Sequence, residues 1–191
     1  MRKIILASGS KARQRLLKAI GFKFSVAKSR VKETTRLKGG CAELVIDNAL
    51  RKCRDVARRY DSGIVIAADT VVLVGRKIIG KPASMKDAVR SLKILSKSPQ
   101  WVYTGLAVID VDNGRTYTGY EKTKVYMCPL TDAEIKRYFR RVSPFDKAGS
   151  FDVQGPGSIF IDRIEGCFYN VVGLPIAKLA RILAKCGISL F

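Results

Sequence analysis

The run "IVIAADTVVLV", residues 64–74, wants burial along its whole length, yet it carries a carboxylate at Asp69. A buried carboxylate costs several kcal/mol unless a cation, a metal or a set of donors meets it. A strand-end Asp closing a turn is the bland account. Against it, β-formers resume directly after Thr70, so the chain does not behave as though it had turned. Asp69 is therefore read as a functional carboxylate inside a buried segment. The longer stretch "GIVIAADTVVLVGRKIIGKP" reads as strand, interruption, strand, tight turn and strand.

The remaining elements follow from periodicity and punctuation. Residues 3–7 read as a fully buried strand, and Leu16, Leu17 and Ile20 give the next helix an apolar stripe that Gly21 stops. The basic stretch "AKSRVKETTRLKGG" reads as a loop or frayed strand. Ala42, Val45, Ile46, Ala49, Cys53, Val56, Ala57 and Tyr60 keep helical spacing, which predicts a helix over 41–60. Ser84 and Asp87 open a helix over 85–96, and Thr131 and Glu134 cap another that carries Ile135, Tyr138 and Phe139. Residues 101–127 form a long hairpin turning at Asn113-Gly114. A glycine-rich tail holds one or two strands, and Pro175 starts a last helix that Gly187 ends. This order gives an α/β protein with a mixed sheet shared across two lobes, with a cleft between them as the natural ligand site.

Composition narrows the chemistry. Lys and Arg number 36 against 16 Asp and Glu, a net charge of +20, and a field of that sign draws nucleic acid or small phosphorylated molecules. There is no His, so catalysis falls to carboxylates, Lys or Cys, and a metal would be a hard ion on oxygen ligands. Cys41, Cys53, Cys128, Cys167 and Cys186 are scattered and odd in number, which speaks against zinc and disulfides and for inert thiols in a reducing cytosol. No apolar run spans a membrane and "IILA" is too short for a signal segment, so the expectation is a soluble intracellular protein.

In "ASGSKAR" a helix begins with Lys11, Arg13 and Arg15, although its first turn should prefer acids. Ser10 could be a cap and nothing more. A phosphate at the helix N-terminus explains the cations better, with Ser8, Ser10 and Arg13 converging on its oxygens. The segment lacks the Gly-Lys-Ser/Thr ending of a P-loop. Glu33, between Arg30, Lys32 and Arg36, reads on its own as a solvated loop residue in a local ion pair. Lys52, on the shoulder of its helix stripe, reads as a snorkelling side chain. Lys81, in "GKP", is evenly balanced between loop cation and ligand. "DKAGSFDVQGPG" offers Asp146, Lys147 and Gln154 among glycines that let a ligand approach the backbone, and a Gln amide can read a base edge.

Together these pieces resemble the Maf family of nucleoside triphosphate pyrophosphatases. "LASGSKARQRLL" is similar to the family's Leu-Ala-Ser-x-Ser-Pro-Arg-Arg opening, and "ADTVV", "GKP", "DKAGSFDVQG" and "VVGLP" follow in order along essentially the whole chain. The resemblance implies one domain over 1–191 with two lobes, a long curved mixed sheet and the fold of the inosine triphosphate pyrophosphatases, often dimeric. It implies hydrolysis of a nucleoside triphosphate to monophosphate and pyrophosphate. Asp69 would activate water, Ser8, Ser10, Arg13, Lys52 and Lys81 would bind phosphates, and Glu33 with Asp69 would hold a divalent ion, Mg²⁺ or Mn²⁺. Thr70 and Gln154 match the branch acting on dTTP and UTP. Ala12 stands where that branch has Arg and the 7-methyl-GTP branch has Trp, and Lys11 replaces the usual Pro, so modified nucleotides enter the range. Clearing damaged nucleotides and restraining division both suit these residues.

The rival from another class is a basic nucleic-acid-binding or division-regulating protein without turnover, supported by the net charge and by "RKCRDVARR". Along the chain, however, the aromatics are not interleaved with the basic residues as in a stacking platform.

Overall fold

The computed structural model describes residues 2–35, 39–145 and 148–189. Seven strands form one mixed sheet in the order β2-β1-β3-β5-β6-β7, with β4 paired to β3. In chain order the elements are β1 (Ile4–Leu6), α1 (Lys11–Ala19), β2 (Ser25–Val26), α2 (Cys41–Ala57), β3 (Ile64–Val74), β4 (Lys77–Ile79) and α3 (Met85–Leu95). There follow β5 (Gln100–Asp110), β6 (Thr116–Met127), α4 (Asp132–Phe139), β7 (Ile161–Glu165), α5 (Phe168–Val172) and α6 (Ile176–Ala184). β1 runs parallel to both β2 and β3, whereas β4 is antiparallel to β3 and β7 to β6. No helix among the described residues is long and apolar enough to cross a membrane.

The residues gather into two compact units. The first takes Met1–Asp69, Thr104–Glu121 and Val172–Phe191, and the second takes Thr70–Tyr103 and Lys122–Val171. In the first, strand alternation sorts the core into two layers. Ile4, Leu6, Ile64 and Ile66 meet Leu16 and Leu17 of α1 and Leu179 and Leu183 of α6. Ile5, Val65 and Ala67 point the opposite way, onto Ala49, Cys53 and Val56 of α2. A strand covered on both faces reads as an unbroken apolar run, which is why β1 and the first half of β3 have no polar alternation. Gly105 of β5 lies directly under α2, where a Cβ would collide with the Val45 carbonyl. In the second unit Val72, Val102 and Val125 pack with Leu92 and Leu95 of α3 and Ile135 and Tyr138 of α4.

Local signals fared well. Ser10 caps α1, and Gly21, at a φ of 75°, closes it: Gly21 N–H donates to the Lys18 carbonyl and Phe22 N–H to that of Leu17. Thr131 and Glu134 form a complete capping box. At α3 only half of that box exists: Ser84 Oγ accepts from Asp87 N–H, while the Asp87 carboxylate turns to Arg90. The expected interruption at Asp69 is absent, because β3 runs unbroken through it. α2 ends at Ala57, three residues short of Tyr60, and Pro175 is the N-cap of α6 and not its first residue. Among its described residues the tail holds one strand, β7, together with 3₁₀ turns at Ala148–Ser150 and Pro156–Phe160. All five cysteines are free; Cys41, Cys53 and Cys186 are buried, and burial pushes the Cys53 thiol up to about 12.

The Arg2 guanidinium joins the start of the chain to the β5–β6 turn. It donates to Asp110 and Asp112 and, at 3.0 Å, to the Cys186 carbonyl. The hydrogen bonds from Arg2 hold the buried Asp110 carboxyl below its ordinary value. A lowered carboxylate stabilises the fold fully above its unfolded value of about 3.9 and loses that contribution as pH falls toward the folded value. Asp110→Asn is expected to lower stability by about 1–3 kcal/mol at pH 7. In urea titrations the gap between wild type and variant should close as pH falls below about 4.

Candidate active site

The alternation that sends Val65 and Ala67 toward α2 sends Asp69 there as well. Asp69 is 3% exposed, and its carboxylate is met from α2 on both oxygens. Lys52 Nζ donates to Oδ1 at 2.7 Å, and Asn48 Nδ2 donates to Oδ2 at 2.9 Å. Residues 48 and 52 are one helical turn apart, so one face of α2 presents an amide and an ammonium together. The same Nζ donates to Glu33 Oε1 at 2.5 Å and approaches the Ala68 carbonyl at 3.5 Å.

This corrects two readings made from the residues alone. Lys52 does not snorkel: its side chain is 9% exposed and inserted between two carboxylates. Glu33 is half exposed at 51%, but it makes a long-range ion pair with Lys52.

The α1 entrance assembles beside this cluster in the first unit. Ser10 Oγ accepts from Arg13 N–H at 3.4 Å, and Ser8 Oγ, on a buried residue, accepts from Ser10 N–H at 3.2 Å. The Arg13 side chain doubles back, so that Nη1 donates to Ser8 Oγ at 3.2 Å and Nε to the Gly173 carbonyl at 2.8 Å. Gly173 holds a φ of 109°, which a side chain would resist, and so "VVGLP" near the end of the chain aims one carbonyl at Arg13. Burial lowers the Arg13 guanidinium from its ordinary value, and the charges of Asp69 and Glu33 oppose that fall. Lys11 and Arg15 are exposed. Of the three cations crowding the front of the helix, then, one is built into the site and two are solvated.

Ser8, Ser10, Arg13, Glu33, Lys52 and Asp69 thus come together in the first unit. Ala12 is half-buried on α1, and Thr70 is half-buried with its side chain alternating to the strand face opposite Asp69. Lys81 and Gln154 belong to the second unit, and both are exposed. There Gly149 N–H donates to the Gly80 carbonyl at 3.3 Å, drawing "GKP" beside the glycine-rich segment. Gln154 N–H donates to Asp152 Oδ1 at 3.0 Å. Asp146, Lys147 and Arg36 lie outside the described residues.

Sequence reasoning missed Asn48. The available signal was a polar residue four before Lys52 in a helix otherwise read for its apolar positions. It also missed a surface on the second unit. Val102 and Val125 face the core, so Trp101, Lys124 and Tyr126 face away from it. Lys122 and Lys124 lie 5.2 and 5.6 Å from the Trp101 ring centre, and Lys124 and Arg163 lie 5.0 and 4.2 Å from that of Tyr126. Cations and rings that are not interleaved along the chain are interleaved across the sheet.

Asp69 and Glu33 are hard oxygen donors already sharing one cation, and their chemistry suits Mg²⁺ or Mn²⁺ completed by phosphate and water oxygens. Among the described residues no third Cys, Asp or Glu joins them to make a metal cluster of protein groups alone.

The Maf-like protein family model matches residues 3–186. The dTTP/UTP pyrophosphatase of Methanosarcina barkeri is 44% identical over 192 residues, 100% of this chain and 98% of that protein. Those of Carboxydothermus hydrogenoformans and Bacillus anthracis are 44% and 43% identical, covering 97% and 99% of this chain and 99% and 98% of their own. Among solved structures, the Staphylococcus aureus Ham1 protein aligns with a TM-score of 0.47 at 16% identity, over 66% of this chain and 72% of that one. That likeness is too remote to carry weight.

The Lys52–Asp69 pair makes a stability prediction. Lys52→Met leaves a buried carboxylate with only the Asn48 amide, a loss of about 3 kcal/mol. Adding Asp69→Asn to it is expected to restore most of that loss, read as the denaturation midpoint in urea at pH 7.

Proposed function

This chain belongs to the Maf-like protein family, and from that premise we propose that it is a nucleoside triphosphate pyrophosphatase acting on dTTP and UTP. The observation that carries the reading is Asp69: a buried carboxylate held on both oxygens, with two further cationic or hydroxyl ligands for phosphate, Arg13 and Ser8, assembled in the same unit.

The reaction joins water to the α-phosphorus and releases pyrophosphate. Asp69 accepts the proton of the attacking water, a role that a carboxylate can fill in a chain without His. Ser8, Ser10, Arg13, Lys52 and Lys81 bind the phosphate oxygens and oppose the charge that gathers on the leaving group. Lys52 begins on Asp69 and Glu33, so phosphate competes with those carboxylates for its ammonium. A divalent cation held by Asp69 and Glu33 would supply charge neutralisation at the phosphates. Gln154, Thr70 and Ala12 select the base. Ala12, shorter than the side chains of either known branch, leaves that selection open to modified nucleotides. The reading includes a homodimer in the cytoplasm.

A second reading has one observation in its favour, the sheet surface of Trp101 and Tyr126 among Lys122, Lys124 and Arg163. Such a surface suits single-stranded nucleic acid. Steeply salt-dependent DNA binding with no hydrolysis would favour it.

The deciding assay incubates purified protein with Mg²⁺ or Mn²⁺ and a panel of normal and modified triphosphates, with products separated by chromatography. UTP and dTTP are expected to give monophosphate and pyrophosphate, and Asp69→Asn to abolish this. Arg13→Ala should raise KM for triphosphate by about tenfold or more, the cost of one charge-assisted contact. Wild-type protein that is folded and inert toward every triphosphate would sink the proposal.

A further inference from the structure

Asn48 is 2% exposed, and its side-chain amide makes three hydrogen bonds. One Nδ2 hydrogen goes to Asp69 Oδ2 at 2.9 Å and the other to the Thr34 carbonyl at 2.9 Å, while Oδ1 accepts from Thr34 N–H at 3.0 Å. Turning the amide over would set Oδ1 against a carboxylate and a carbonyl, so the bonding admits one orientation. The two bonds to Thr34 tie down the backbone immediately after Glu33. The bond to Asp69 fixes the carboxylate oxygen that Lys52 does not hold.

We propose that Asn48 is a positioning residue for the hydrolytic reaction, holding Asp69 in the orientation from which it takes a proton from water and holding the Glu33 segment against it. The inference rests on the pyrophosphatase reading. A carboxylate held on Oδ1 alone can rotate about its last side-chain bond. Held on both oxygens it keeps fixed lone-pair directions for an incoming water, and base catalysis depends on that geometry. Among the described residues Asn48 makes no hydrogen bond to Ser8 or Arg13, whose groups stand ready for phosphate at the entrance to α1. Its loss should therefore weigh on the chemical step more than on binding.

The effect is comparable to that of groups orienting metal ligands, about 10–100-fold. Asn48→Leu, close in size and without polar atoms, is expected to lower kcat for UTP by about that factor, with KM within about twofold of wild type. Asn48→Asp separates the two tethers: it keeps an acceptor for Thr34 N–H and cannot donate to Asp69 when ionised. It should lose kcat as well. Thermal melts report folding, and if the leucine variant fails to fold, Asn48→Ser is read in its place. A kcat within about threefold of wild type in folded Asn48→Leu, or a loss confined to KM, overturns the proposal while leaving the activity intact. A wild type without turnover removes the activity and this role together.

Discussion

One buried ion pair organises the first unit. Asp69 sits in the middle of a strand where every other inward-facing residue is apolar, and it is tolerated because α2 meets both of its oxygens. That requirement reaches outward. It fixes the rotation of α2, since Asn48 and Lys52 must face the strand on the same side as Ala49 and Cys53. It fixes the separation of helix and sheet, which Gly105 permits by having no side chain under Val45. It also draws in the segment around Glu33 and Thr34, which has no regular secondary structure of its own to hold it.

The cluster is balanced in charge although the chain is not. Arg13 and Lys52 stand against Asp69 and Glu33, two charges of each sign, within a protein of net charge +20. A balanced cluster can be buried at modest cost, whereas two bare cations could not. It also stays responsive. On the proposed function, phosphate oxygens would take the place of carboxylate oxygens at Lys52, so that its ammonium would not be desolvated anew. Gly173 contributes to the same end, its carbonyl holding Arg13 without adding charge.

What was legible in the sequence was what is local. Caps and turns at Ser10, Gly21, Thr131 and Asn113-Gly114 depend on residues a few positions apart, and they were read correctly. Helical spacing alone makes Lys52 a snorkelling side chain, because its partners lie in a loop and a strand far from it in sequence, and spacing says nothing of either. The sequence marks Asp69 as functional but also as a break in the strand, which it is not. A polar side chain interrupts the apolar pattern without disturbing the backbone ladder, and only the partners on α2 reveal that the strand continues. Asn48 was invisible for a related reason: an amide on a helix face acquires meaning only through what lies opposite. Trp101 and Tyr126 reach their lysines by cross-strand pairing, which linear inspection does not see.

The positive field and the selective chemistry therefore belong to different residues. Most of the cationic excess is on exposed side chains such as Lys11, Arg15 and Lys18, where charge attracts polyanions of any kind and salt screens it. A field of that sort raises encounter rates and discriminates little. Discrimination requires groups fixed before the ligand arrives, and in this chain those are the ones with several bonds each. Arg13 is held by Ser8 and Gly173, Asp69 by Lys52 and Asn48, and Asn48 by both edges of Thr34. A triphosphate differs from other polyanions in presenting one electrophilic phosphorus at a set distance from its charged tail. On the proposed function, a carboxylate and a guanidinium held in this way would measure that distance, which a diffuse basic surface cannot.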